Sequence, residues 1–470
     1  MKKVFLLVAG WLLLISVTVA QTVTQKLQKA FLQFESDSQL KHAISSLYVI
    51  DGKTGQVIFD KNSQVGLAPA STQKIITSVT AFELLGKDYR YKTEFWWNKS
   101  TPNYSKSQYI EVKQVCDPTF GSDRFENTMP SVIIEKFAEA CSANKIPITD
   151  IAISRFNNKF ELQKIPDGWI FQDIGNYYGA GVAGFNWREN QSDILLKAGK
   201  FIGDDVKVAR VDTLMAAGYI DNQLKTGKTN SGDQAYYYFN YGNSSVSYPI
   251  LKGTIPLGED NFKISIAVAN PFSYFVNELV KNKLVGKAYA NSNSFDISSI
   301  WQPAKSDINI YSHYSPSLDS IIYWFNKKSI NLYGEALIKT FAYEKQGFGS
   351  TDSGVAIIKK FWKEKGLDEE ELNIYDGSGL SPLNRVTTHA QVEILKYAKI
   401  KDWFPYFLKS LPDYNGMTMK SGTISDVKGF CGYHKSKDGK EYIFSFLVNN
   451  YSGKTSGVVS KMYKVLDELK

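Results

Sequence analysis

The two ends of this 470-residue chain share one style and its middle has another, which limits the folds open to it. Near the start, ISSLYVIDGKTGQVIFD is two strand-like runs around a Gly-containing turn, the pattern of a hairpin. Near the end, MTMKSGTISDVKGFCGYHK and EYIFSFLVNNY are strand-like too, joined by a SKDGK turn. An amphipathic helical pattern runs from Thr22 to Lys41, and another from about Thr455 to Leu469. Strands and helices drawn from both termini predict an α/β fold: one antiparallel sheet assembled from distant segments and flanked by helices. From about residue 93 to about residue 300 the chain is instead rich in Tyr, Phe, Asn, Ser and Gly, with short runs such as QAYYYFNYG and NFKISIAVANP. This stretch reads as one or two inserted domains, mostly β. The expected organisation is 21–92 with 301–470 as one domain and 93–300 as the insertion.

The first twenty residues read as a cleavable export signal. Lys2 and Lys3 form a positive head, Val4 to Val17 is apolar, and Thr18-Val19-Ala20 offers the small residues a signal peptidase needs. The apolar run is short for a membrane span, which takes about 20 residues. The expected location is therefore periplasmic or otherwise extracytoplasmic, with no transmembrane segment in the mature protein. The formal charge of +8 is spread without a dense basic run, so nucleic acid is not an expected partner. Cys116 and Cys141 could pair in an oxidising compartment, while Cys431 lies in the apolar run GFCGY and reads as core. The four histidines show no metal-binding spacing.

Three short motifs carry possible chemistry. Ser71 and Lys74, in APASTQKIITSVTAFELLG, stand one helical turn apart, so hydroxyl and amine share a face. The helix is expected to begin at Ser71, an N-cap type of residue, and to stop at Gly86. A serine hydroxyl is a weak nucleophile until a neighbouring base takes its proton. Burial and a second cation can lower a lysine's pKa enough for it to be that base. The pattern alone is weak, since it recurs at Ser38/Lys41, Ser142/Lys145 and Ser425/Lys428. The second motif, Ser329-Ile330-Asn331, offers another hydroxyl and a carboxamide, although Ser and Asn are also common helix caps. The third, Lys420-Ser421-Gly422-Thr423, is expected at the start of a strand. A peptide could add along that edge, with Gly422 leaving room for its approach.

Together, in this order, the motifs resemble the penicillin-recognising serine transferases. APASTQKIITSVTAFELLG, YSPSLDSIIYWFNKKSINLYGEAL, YDGSGLSPLNRVT and MKSGTISDVKGFCGYHK are similar to the class C low-molecular-mass penicillin-binding proteins, which are D-Ala-D-Ala carboxypeptidases and endopeptidases. That family carries a long insertion between its first two motifs, and here Lys74 and Ser329 are 255 positions apart. The resemblance implies a penicillin-binding catalytic domain with a helical subdomain. It implies peptidoglycan stem peptides as substrates, β-lactams as inhibitors, and no metal or organic cofactor. Ser71 would form the acyl-enzyme, Lys74 would act as base, and Ser329 with Lys420 would return the proton to the leaving D-alanine. Asn331 would orient the substrate amide. Ser421 and Thr423 would hold the terminal carboxylate, and the backbone N–H groups of Ser71 and Thr423 would form the oxyanion hole. The chain departs from the family at Ile330 (usually Asp), Ser421 (usually Thr), Pro382 (commonly Arg) and in a shorter run before Lys420. The alternatives are a β-lactamase-like hydrolase, or a cell-wall-binding protein with a vestigial site whose insertion does the work.

Overall fold

The computed structural model describes residues 21–98, 109–147, 151–156, 159–211, 220–239, 248–285 and 307–470. Its centre is a six-stranded antiparallel sheet in the order Asp413–Tyr414, Met417–Ile424, Val427–Lys435, Glu441–Asn449, Ile44–Asp51, Val57–Lys61. Ile44 pairs with Asn449 and Asp51 with Tyr442, so the amino-terminal hairpin is completed by the last strand of the chain. The central strands are apolar almost throughout because both faces of the sheet are covered. Alternation then sorts their side chains. Leu47, Val49, Phe444, Phe446 and Val448 meet the terminal helices Val23–Glu35 and Thr455–Leu466. Tyr48, Ile50, Cys431, Ile443 and Leu447 meet a helical layer on the opposite side.

That layer contains the helices Lys74–Leu85, Leu318–Lys327, Asn331–Gln346, Thr351–Glu364, Thr388–Lys399 and Phe404–Ser410. The first is buried from Lys74 to Phe82, and its Thr77, Ser78 and Thr80 hydroxyls are hydrogen-bonded inside the core. The amino-terminal helix is shorter than expected. Thr22 and Gln25 form a capping box, the helix ends at Glu35, and a separate 3₁₀ turn covers Ser38–Leu40.

The chain leaves this body along Lys92–Asn98 and comes back along Ile308–Tyr314, with Tyr314 opposite Lys92. These two strands join Tyr109–Lys113 and Ala152–Phe156 in a four-stranded sheet covered by helices Pro130–Ala143 and Pro271–Lys281. Two three-stranded sheets enclose a further small core of Ile194, Leu196, Leu224, Leu251 and Ile255. The described part of the insertion is thus β-rich with two substantial helices. Residues 1–20, and the expected return at residue 301, lie outside the described residues. Among those described, no helix is long and apolar enough to cross a membrane. Cys116 and Cys141 are free buried thiols in different cores, and Cys431 is a buried core thiol.

The terminal helices are held by an aromatic cluster in which Phe31 contacts the rings of Phe34, Phe59 and Phe446. Phe31→Ala is expected to destabilise the protein by about 3–5 kcal/mol, read from urea unfolding, because the cavity lies in a fully packed layer.

Candidate functional site

Ser71 lies in a 3₁₀ turn, Ala70–Gln73, and the α-helix proper begins at Lys74. The expectation that Ser71 caps the helix is therefore corrected: its hydroxyl makes no cap hydrogen bond and instead lies 3.0 Å from Lys74 Nζ. Ala70, just before it, has φ 47°, a left-handed conformation uncommon for a residue with a side chain. Ser329 has φ 57°. Backbone strain of this kind persists where the surroundings over-determine it, and here it presents both hydroxyls to one cleft.

Lys74 is fully buried, and its amine has three neighbours. Asn331 Oδ1 and the Ser378 carbonyl oxygen each lie 2.7 Å away, and Ser71 Oγ completes the set. The first two are pure acceptors, so they take two N–H bonds. In the neutral amine the remaining lone pair then faces the Ser71 hydroxyl. Burial, and after it the charge of Lys420, hold Lys74 well below its ordinary pKa, against a weaker opposing pull from Asp376 and Glu335. Burial and the Asp376 carboxylate in turn push Glu335 up to about 8.

Lys420 lies within the strand Met417–Ile424 rather than at its start. Its amine is 3.0 Å from Ser329 Oγ, and burial draws its pKa down to about 7 with Lys428 acting in the same direction. Asn331 lines the cleft, and both ends of its carboxamide already have a partner. Oδ1 accepts from Lys74, and Nδ2 donates to the Tyr178 carbonyl of the insertion at 2.8 Å. Its second Nδ2 hydrogen is left over to donate into the cleft that Asn331 lines. Gly422 is also corrected. A Cβ there would come within 2.6 Å of the Pro69 oxygen and 2.8 Å of the Ser71 nitrogen. The missing side chain lets the strand press against the Ser71 turn.

Ser71, Ser329, Asn331 and Thr423 line one open cleft of about 470 Å³, walled on the insertion side by Asp173, Tyr177, Tyr178 and Tyr236. Ile330 and Pro382, two of the departures from the resembled pattern, line it as well. Ser421 lies beside it on the same strand face as Thr423.

Several contributors escape a motif reading. The Ser378 carbonyl acts through the backbone, which carries no residue signature. Asp376 accepts from Trp169 Nε1, Asn384 Nδ2 and the backbone N–H groups of Gly379 and Ser381, and so shapes the loop that delivers that carbonyl. Lys428 looked like half of a chance S-x-x-K. The two-residue turn Ser425-Asp426 nevertheless places it directly across from Thr423, a register that alternation could have given.

The sequence profile described as the D-Ala-D-Ala carboxypeptidase 3 (S13) family matches residues 25–413. A D-alanyl-D-alanine carboxypeptidase of Actinomadura sp. is 24% identical over 445 residues, covering 89% of this chain and 80% of that protein. The D-alanyl-D-alanine carboxypeptidase DacB of Haemophilus influenzae is 23% identical over 418 residues, covering 84% and 83%. The crystal structure of penicillin binding protein 4 from H. influenzae superposes with a TM-score of 0.75 at 18% identity, over 94% of this chain and 98% of that one. The mixed α/β architecture is thus shared.

Gly422→Ala should leave the protein folded yet displace the Ser71 turn. Covalent labelling of the protein by a fluorescent penicillin is expected to slow by about 100-fold, the cost of misplacing a reacting atom by roughly 1 Å.

Proposed function

We propose, from the premise that this chain belongs to the D-Ala-D-Ala carboxypeptidase 3 (S13) family, that Ser71 is the nucleophile of a serine carboxypeptidase trimming peptidoglycan stem peptides. The observation that carries this reading is the buried amine of Lys74, whose lone pair faces the Ser71 hydroxyl. Lys74 takes the Ser71 proton as Oγ attacks the carbonyl carbon of the penultimate D-alanine. The backbone N–H groups of Ser71 and Thr423 receive the developing oxyanion. The C–N bond then breaks, and the leaving amine of the terminal D-alanine takes a proton relayed through Ser329 and Lys420. Their 3.0 Å contact and the lowered pKa of Lys420 support that relay. Water hydrolyses the resulting ester on Ser71, restoring the hydroxyl and releasing the shortened peptide. Asn331 holds Lys74 through Oδ1 and orients the substrate amide with its second Nδ2 hydrogen, while Ser421 and Thr423 take the substrate's terminal carboxylate. The same nucleophile would attack a cross-link in endopeptidase action.

β-Lactams acylate the same oxygen in this scheme, since the strained amide occupies the place of the scissile bond. The relatives support this, one of them having been crystallised as a complex with a β-lactam. An enzyme acting on cell-wall peptides works outside the cytoplasm, in keeping with the export signal read at residues 1–20. The assembled site speaks against the vestigial alternative.

Fluorescent penicillin is expected to label the wild-type protein covalently, and the Ser71→Ala variant not at all. Lys74→Met should slow acylation by about 100- to 10,000-fold, the contribution of a positioned base. A folded wild-type protein that neither labels nor releases D-alanine from a stem pentapeptide would remove the reading. The pH dependence has a definite sign. Lys74 must be neutral to accept the proton, so kcat/KM falls as pH drops below its folded pKa, by about tenfold per unit. A rate that stays flat through the pH at which NMR shows Lys74 taking up its proton would contradict Lys74 as the base.

A further inference from the structure

Lys428 is a buried cation with no anion. It is 7% exposed, and burial alone lowers its pKa, to about 8. Its Nζ donates to Ser421 Oγ at 2.6 Å and to Thr423 Oγ1 at 2.8 Å, and it sits 4.6 Å from the centre of the Phe430 ring. Among the described residues, no carboxylate pairs with it. Burying an ammonium against neutral hydroxyls is costly unless an anion arrives to complete the set.

The hydrogen-bond directions show where that anion belongs. An ammonium has three donors and no acceptor. Because the Ser421 and Thr423 oxygens accept from Nζ, each hydroxyl keeps its own hydrogen free to donate elsewhere. The pair therefore offers O–H donors backed by a positive charge, on the strand face beside the cleft that Thr423 lines. Two donors two residues apart on one strand suit the two oxygens of a carboxylate. A neutral amide would gain little from the charge behind them.

We propose that Lys428 is a specificity-determining positioning residue, which sets the Ser421 and Thr423 hydroxyls as donors and supplies the charge that selects substrates ending in a free carboxylate. The proposal rests on Ser71 being the acylated nucleophile, and it deepens that reading by assigning a role to a lysine outside the three motifs.

The test compares Ser71 acylation by benzylpenicillin with acylation by its methyl ester, in the wild type, Lys428→Gln and Lys428→Arg. The wild type should prefer the free acid. Lys428→Gln, which can still hydrogen-bond the hydroxyls, should reduce the acid-to-ester preference by about tenfold or more, the worth of one charge-assisted contact. Lys428→Arg should retain most of it. An unchanged preference in a folded Lys428→Gln protein overturns the proposal. A wild type that neither compound acylates overturns the Ser71 reading instead, so the two failures are distinct. A second measurement needs no change at Lys428. In the Ser71→Ala protein, saturating N-acetyl-D-alanyl-D-alanine should move the Lys428 Cε resonance, and its C-terminal amide should move it far less. Equal responses to the two peptides would also overturn the proposal.

Discussion

The structure depends on keeping one amine buried. Lys74 is removed from water, close to a second lysine, and surrounded by neutral acceptors. Desolvation penalises the charged form of such a group, and a nearby like charge penalises it further. The balance could have gone the other way, since Asp376 and Glu335 are close enough to favour the ammonium. Glu335 is itself pushed towards its protonated form, which limits the negative charge it can offer. Asp376 is committed to the loop it organises, accepting from two backbone N–H groups and from the Gln73, Trp169 and Asn384 side chains.

Three distant parts of the chain meet to hold that amine. The turn Ala70–Gln73 brings Ser71, helix Asn331–Gln346 brings Asn331, and the loop after Asn373 brings the Ser378 carbonyl. The strand Met417–Ile424 closes the arrangement with Gly422 against the Ser71 turn. The insertion is fastened to the same helix. Tyr178 accepts from Asn331, Glu189 accepts from Tyr333 at 2.7 Å, and buried Lys339 reaches the Gln163 carbonyl at 2.6 Å and Glu161 at 3.0 Å. Arg188, Glu189 and Asn190 all take left-handed conformations to bring Glu189 into this contact. A segment far from Ser71 in sequence therefore bears, through Asn331, on the Lys74 amine.

What the sequence disclosed follows from the range over which each feature acts. Alternation and turn chemistry are local, so the terminal strands, their hairpins and the burial of Cys431 were readable. The contact of Ser71 with Lys74 was also readable, because one helical turn fixes it. The start of the helix was misplaced because Ser71 has the chemistry of a cap while its hydroxyl serves Lys74 instead. Gly422 was read as space for a ligand, although the space belongs to the Ser71 turn, a contact spanning some 350 positions. The bond from the Asn331 amide to the Tyr178 carbonyl has no sequence signal, because its partner is a backbone atom of the insertion. Lys428 shows the opposite case: the information was present in the hairpin register, but a motif reading gives no weight to a residue paired across a turn.

The central claim is that Lys74 is a neutral amine in the folded protein at the pH where it works. NMR of ¹³Cε-labelled lysine, with Lys74 assigned by its absence in Lys74→Met, measures that charge directly. The Lys74 signal is expected to titrate well below the ordinary value of 10.5 and to move upward when Lys420 is replaced by methionine. A Lys74 that stays charged until about pH 10, as an exposed lysine does, would contradict it.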